Sequence, residues 1–266
     1  MNIPQDLQRP TLTHIGGPTI LVRYAGLNLL TDPTFDAPGD YPVGAGRSLV
    51  KLTGPAVAAE DLGRIDVVLL SHDQHADNLD NSGRELLNDA GMILSTAEAA
   101  SRIHGVRGLR PWEHVTVQGD APVAVTAVPA LHGPSGAEAV TGEVTGFVLE
   151  AEGWPTVYVS GDNASLELAA EISLRFPTTT LAVVFAGAAR TPLFGGAPLT
   201  LTSQDVVELA GLFPLATVVP VHTEGWVHFT EGPDIVKQRM GDAGLAARLA
   251  VLPIGEPHRP SLPQQP

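Results

Sequence analysis

The chain has no cysteine in its 266 residues, which removes disulfides, thiolate zinc sites, cysteine nucleophiles and iron–sulfur clusters from consideration. Positive charge is scarce. Against 29 Asp and Glu stand 15 Lys and Arg, and the formal net charge of −14 repels a phosphate backbone, so no nucleic-acid partner is expected. No apolar run approaches the ~18 residues of a membrane span. The opening MNIPQDLQRPTLTH also lacks the basic start and apolar stretch of a secretory leader. A cytoplasmic chain without a membrane span is the expectation, and any metal has to be held by His, Asp or Glu.

Apolar residues, at 44% against 17% charged, are numerous enough for a large core and argue against wholesale disorder. The 28 glycines and 23 prolines are scattered without period, which suits many short strands joined by tight turns. The length fits one domain better than two. We place it at residues 1–256, followed by a polar, Pro-rich tail at 257–266 that is expected to be mobile.

TLTHIGGPTILVRYAGLNLLTD (11–32) reads as a β-meander broken at glycine turns, and the Pro- and Gly-rich stretch from Pro33 to Pro55 reads as a long loop. IDVVLL (65–70) is short enough for a buried strand. Ser82 and Glu85 sit at capping-box spacing to open a helix, so SHDQHADNLD (71–80) becomes a strand-to-helix loop. Downstream, strands are expected at 123–130, 145–153, 156–162, 180–185 and 216–222, and helices at 164–176 and 203–213. Strands in meander order that later alternate with helices indicate sheets faced by helices, an α+β architecture.

The loop at 71–80 carries His72, His75 and Asp77, and three further polar residues end predicted strands: His132, Asp162 and His222. Neutral imidazole and carboxylate are ligands for zinc and also suit iron or manganese. Water on such an ion is acidified from a pKa of 15.7 to about 7, and a nearby carboxylate orients it or takes its proton. Each residue also has an ordinary explanation. A lone histidine at a strand end is usually a satisfied polar or surface residue; Asp77 and Asp80 also fit as turn residues, and Asp162-Asn163 as a helix cap.

Taken in order, THIGGPTILVRYAGLNLLTDP, LLSHDQHADNLD, VPALHGP, VYVSGDN and VVPVHTEGWVHF resemble the five motifs of the metallo-β-lactamase-fold hydrolase superfamily, over about Thr11 to Glu256. The branch they look like includes L-ascorbate-6-phosphate lactonase and N-acyl-phosphatidylethanolamine phospholipase D. The resemblance implies a four-layer αββα sandwich with one or two divalent ions at one edge, zinc first and manganese or iron as alternatives. It makes Asp32 a bracing aspartate, gives the first site His72, His75 and His132, and gives the second Asp77, Asp162 and His222. The second motif departs from His-x-His-x-Asp-His: one residue is inserted between His72 and His75, and Asn78 stands where the last histidine belongs. Asp73 is a candidate to compensate. His228 either faces the substrate or packs against Trp226 and Phe229, and with Asp77 it completes the candidate catalytic pair. His14 is placed near the metal loop, and His104, His114 and His258 at the surface.

The resemblance implies a metal-dependent hydrolase in which metal-bound hydroxide attacks a small ester, lactone or phosphodiester. Two alternatives stay open: a metal-binding member without turnover, which Asn78 keeps in play, and a diiron-type oxidoreductase. The expected partner is a small-molecule substrate, and a homo-oligomer is allowed for.

Overall fold

The computed structural model describes residues 8–44 and 46–262. The meander forms as expected: β1 (Thr11–Gly16), β2 (Thr19–Tyr24) and β3 (Leu27–Thr31) pair antiparallel in sequence. The β2–β3 turn is Ala25-Gly26, both residues at positive φ (49° and 79°), the mirror-image turn whose twist matches that of a hairpin.

Residues 33–55 differ from the expected loop. They hold a hairpin, β4 (Gly39–Gly44) and β5 (Arg47–Lys51), which stands apart from both main sheets. Its strands carry no apolar alternation because most of their residues face solvent rather than a core.

After β3 the first sheet turns parallel. Strands β6 (Val67–Leu69), β7 (Ile93–Thr96) and β8 (Val106–Leu109) add in order, connected by the short helices α1 (Asn81–Leu86) and α2 (Ala97–Arg102). Neither β7 nor β8 was anticipated, since ILST and VRGL lack the longer apolar run that marked β6. The second sheet has six strands, β9 (His114–Gln118), β10 (Pro122–Pro129), β11 (Thr145–Ala151), β12 (Thr156–Val159), β13 (Thr179–Phe185) and β14 (Thr217–Val221), ordered β14-β13-β12-β11-β10-β9. Helices α4 (Leu166–Arg175) and α5 (Ser203–Leu212) make its parallel crossovers, between the short α3 (Glu138–Thr141) and α6 (Pro233–Asp242).

Three apolar layers hold four structural ones together. Leu29, Val67, Leu69 and Leu94 of the first sheet meet Val125, Phe147, Val159 and Val219 of the second. The outer face of the second sheet packs Tyr158, Ala182 and Val184 on Ile172, Val206, Leu209 and Met240 of the helices. On the other side, Leu30, Val68 and Leu70 pack on Leu62 and Leu87. Strand β13 explains its own unbroken apolar run, because Leu181, Val183 and Phe185 face the sheet-to-sheet core while Ala182 and Val184 face helices. Emptying one such place, as Phe147→Ala would, costs about 3–5 kcal/mol.

Part of the segment expected as a mobile tail is ordered. Pro257 and His258 form β15 against β1, and the Ser261 carbonyl accepts the Thr217 hydroxyl at 2.6 Å; residues 263–266 lie outside the described residues. Among the described residues no helix is long and apolar enough to cross a membrane.

Strand direction decides where function can sit. β3 and β6 run parallel, and two antiparallel steps bring β12 back to the direction of β10, with β13 and β14 parallel to β12. The loops after β3 and β6 on one sheet, and after β10, β12 and β14 on the other, carry Asp32, His72, His132, Asp162 and His222.

Candidate metal centre

The loop after β6 is held at both ends by carboxylates. Asp80, not the expected Ser82, caps α1: its side chain accepts Gly83 N at 2.9 Å, Phe35 N at 2.9 Å, Asp36 N at 2.7 Å and the Lys51 ammonium at 2.9 Å. Ser82 is diverted, its hydroxyl donating to Asp36 at 2.6 Å. A carboxylate is the stronger acceptor for orphaned N–H groups, so it outcompetes a hydroxyl two residues later. The Lys51–Asp80 pair is buried and ties the β4–β5 hairpin to the loop.

At the other end sits Asp32, fully buried, at φ 28°, just past β3. It accepts Ser71 N and Ser71 Oγ, each at 2.6 Å, and the Asn78 amide at 3.0 Å, the bracing role expected of it. Burial pushes its pKa up to about 7 against the pull of those hydrogen bonds. Ser71 Oγ, having given its proton to Asp32, is left to accept from His72 Nδ1 at 2.9 Å. His72 therefore points an unprotonated Nε2 inward. His132 is oriented likewise: its Nδ1 donates to the Leu199 carbonyl at 2.8 Å, which can only accept, leaving Nε2 as a lone pair.

These lone pairs converge. His72 Nε2 lies 2.9 Å from His75 Nδ1, His132 Nε2 lies 3.2 Å from the same atom, and Asp162 Oδ2 is 3.5 Å from His132 Nε2 and 4.0 Å from His72 Nε2. Asp162 Oδ2 is buried with no hydrogen-bond partner. Nitrogens bound to zinc at about 2.0–2.1 Å in a tetrahedron stand about 3.3 Å apart. Burial, then the neighbouring rings, drives the pKa of His72 well below the ordinary imidazole value and lowers that of His75, so both stay in the form that binds a cation. This arrangement fits a divalent ion. The expectation that Asp162 and Asn163 cap a helix is not met for Asp162, since Ser165 caps α4 and Asn163 accepts Ser165 N at 3.1 Å.

On the opposite side His222, at φ 55° just past β14, directs Nδ1 to Asp162 Oδ1 at 2.9 Å and Nε2 toward Asp77 Oδ2 at 3.4 Å. Burial opposes its charge, but Asp162 and Asp77 overcome that and push its pKa up to about 10. The rings of His228 and His222 likewise outweigh burial at Asp77 and hold its carboxyl well below the usual range. His228 packs as one of its two expected descriptions has it, with ring centroids 4.5 Å from Phe229 and 6.1 Å from Trp226, and its Nε2 lies 3.0 Å from Asp77 Oδ2. Gly161, before Asp162, is where the two sheets' loops close: a Cβ there would sit 2.9 Å from Ser71 Cβ and 2.6 Å from the Thr145 carbonyl.

The two irregularities of the second motif are now located. Asp73 turns away from the centre and pairs with Arg102, Oδ1 to Nη2 at 2.6 Å, so it is not drawn into the site. Asn78 is fully buried, and its amide spans Asp32 Oδ2 at 3.0 Å and Asp162 Oδ1 at 3.3 Å. His14 stays outside, its ring bonded to the Gly17 carbonyl, which also accepts His222 N. Sequence reasoning missed Ser71, Lys51 and the Leu199 carbonyl. The Ser-His pair was visible as adjacent letters, but Lys51 and Leu199 give no local signal because their partners lie 29 and 67 residues away.

Above the centre opens a cavity of about 350 Å³ whose lining includes His75, His132, Asp77 and His228. Its walls come from the hairpin (Val43, Leu49) and from Val140, Leu193 and Phe194, with Arg47 as the one cationic side chain among the lining residues.

A model of the β-lactamase superfamily domain matches residues 27–223. A UPF0173 metal-dependent hydrolase of Pyrococcus abyssi is 24% identical over 205 residues, 74% of this chain and 82% of that protein. Among solved structures, an isothiocyanate hydrolase from Delia radicum gut bacteria superposes with a TM-score of 0.81 at 22% identity, over 93% of this chain and 98% of its own. A Veillonella parvula protein described as a possible metal-dependent hydrolase gives 0.80 at 19% identity, over 94% and 99%.

Proposed function

The chain belongs to the β-lactamase superfamily domain family and has the four-layer αββα sandwich of the metallo-β-lactamase fold, and from that premise we propose that it is a metal-dependent hydrolase of small esters, lactones or phosphodiesters. The observation that carries this reading is the convergence of four ligand atoms, His72 Nε2, His75 Nδ1, His132 Nε2 and Asp162 Oδ2, on one point at the floor of the cavity. A divalent ion held there, zinc first by ligand type, supplies Lewis acidity and brings the pKa of water down from 15.7 to about 7.

The chain's own groups do the rest. Asp77 Oδ2 fixes His228 by accepting at Nε2, and His228 Nδ1 is buried without a partner beside the cavity, free to take a proton or to deliver one to a leaving group. Apolar side chains line the way in and limit water, and a single guanidinium, Arg47, suits a neutral or singly charged substrate better than a polyphosphate. Such proton transfer typically contributes about 10²–10⁴-fold.

The test is to strip the protein with a chelator, restore zinc, manganese or iron separately, and assay an aryl ester, a lactone and an aryl phosphodiester. Activity that vanishes with the metal and returns with it is expected, on at least one of the three. A protein that binds the ion tightly yet turns over none of them would instead be a ligand-binding member.

A further inference from the structure

The β4–β5 hairpin stands apart from both main sheets, yet one face of β5 is turned to the loop that carries the histidines. Side chains alternate along a strand, so Arg47, Leu49 and Lys51 share that face. At its base the Lys51 ammonium is buried against Asp80 at 2.9 Å. Two residues back Leu49 lines the cavity, and two further back, beside the turn, so does Arg47. The other edge of β5 is held as well: Leu52 N donates to the Gly225 carbonyl at 2.7 Å, and Val227 N to the Val50 carbonyl at 3.0 Å. The hairpin is therefore an anchored wall of the cavity.

Arg47 differs from the cations around it. Lys51 is paired with Asp80, Arg102 with Asp73, Arg84 with the Asp73 carbonyl and Arg190 with the Gly196 carbonyl. Arg47 makes no hydrogen bond or ion pair among the described residues. On a chain of net charge −14, the cavity has one acidic lining residue, Asp77, and that carboxylate is engaged by His228. The rest of the opening is apolar. Val43 of the hairpin, Val140 of α3 and Leu193 of the turn at 192–194 all line it and all remain exposed, three separate segments gathered on one mouth. Exposed apolar side chains that collect in this way mark a binding surface.

From floor to mouth the order is ligand atoms, apolar wall, lone guanidinium. We propose that the substrate is an apolar monoacid: its reacting bond lies at the centre, an alkyl or aryl arm runs along Leu49 and Phe194, and one carboxylate at the far end is held by Arg47, the residue that sets specificity. A guanidinium matches a carboxylate by two parallel N–H bonds. The volume of about 350 Å³, at roughly 30 Å³ per non-hydrogen atom, the share of a water in the liquid, admits about a dozen such atoms. This rests on the proposed metal-dependent hydrolase for the position of the reacting bond.

The experiment is calorimetric binding of hydroxamates, which chelate zinc through two oxygens, to the full chain saturated with zinc, so that no turnover is needed. Three probes of one arm length end in a carboxylate, a methyl or an ammonium group. The carboxylate is expected to bind about tenfold more tightly than the methyl, and the ammonium more weakly than either. Arg47→Gln should bring carboxylate and methyl level while leaving the methyl probe unchanged, and Arg47→Glu should reverse the order. Each methylene removed from the methyl probe should weaken it about three- to fourfold. A carboxylate no tighter than the methyl, or a preference that survives Arg47→Gln, would overturn the role of Arg47; affinity independent of arm length would overturn the apolar arm. The carboxylate preference without turnover of any ester, lactone or diester would remove the hydrolase and keep the recognition of an apolar acid. Turnover without the preference would do the reverse, and binding of none of the three probes would overturn both.

Discussion

On the side of the centre built by His72, His75 and His132, ring nitrogens face ring nitrogens at 2.9–3.2 Å. On the side built by Asp77, His222 and His228, ring nitrogens face carboxylate oxygens at 2.9–3.4 Å. The residue types are nearly the same, yet the matching differs. Ring nitrogens crowded together, with the protons of His72 and His132 directed outward to Ser71 Oγ and the Leu199 carbonyl, face one another and the partnerless Asp162 Oδ2, an arrangement that suits a cation. On the second side His222 Nδ1 and His228 Nε2 meet carboxylate oxygens, while His222 Nε2, His228 Nδ1 and Asp77 Oδ1 are buried without a hydrogen-bond partner. Which way each ring is turned, and by what neighbour, decides whether its nitrogens gather around one point or pair with an acid.

Removing a ring from the first side is the most damaging way to probe this contrast. His72→Ala and His132→Ala are each expected to lose the ion and with it activity by 10³-fold or more on the order seen when such a centre is dismantled; elemental analysis and turnover read both. Retention of full metal content by both variants would erase the distinction between the sides.

Substitution on the second side should separate metal from rate. His228→Gln keeps a side chain able to donate to Asp77 but cannot relay a proton, so kcat is expected to fall by about 10²–10³-fold with the zinc content unchanged. Loss of metal in that variant would move His228 to the first side.

Acidity offers a milder probe on metal-free protein. Burial depresses His14, His72 and His75 below the ordinary value of 6.5, so the unfolded chain takes up three protons near pH 6.5 that the folded chain resists, and stability falls as pH drops from there. Asp32, pushed up to about 7, acts in the opposite sense over the same range, one group against three. His222 is raised to about 10, so its contribution is complete below 6.5 and is lost as pH rises through 10. Stability greatest near pH 6.5–7, falling by up to about 2.8 kcal/mol per pH unit on the acid side and about 1.4 on the alkaline side, is expected, and differential scanning fluorimetry reads it as the thermal midpoint. A midpoint that kept rising toward pH 5 would contradict the inward lone pairs.

The smallest effect on metal and rate belongs to the residue outside both sides. Arg102→Met strips a half-exposed guanidinium from the buried Asp73 carboxylate and should cost about 1–3 kcal/mol in urea denaturation without changing metal content. A drop in bound metal would show Asp73 taking part after all.

Much of this was legible beforehand for specific reasons. The strands carrying Asp162 and His222 are buried on both faces and announce themselves as unbroken apolar runs, and polar residues at their ends stand out because nothing apolar explains them. The β4–β5 hairpin was missed because it buries little, and β7 and β8 because ILST and VRGL mix polar residues or glycine into too short an apolar stretch to stand out. The cap of α1 was misread by two residues, since Ser82 has the right spacing but Asp80 has the stronger acceptor and reaches Lys51 as well.

Residue identity alone settled that any ion must be held by nitrogen and carboxylate oxygen, because there is no cysteine, and that one ligand of the usual set is an asparagine. It left open where that asparagine points. Tertiary structure decided it, by bringing Asp32 from 46 residues before Asn78 and Asp162 from 84 residues after it to the same amide. A side chain's chemistry is written in its letter, but whether that chemistry serves as ligand, brace or proton carrier depends on which partner the fold sets within about 3 Å of it.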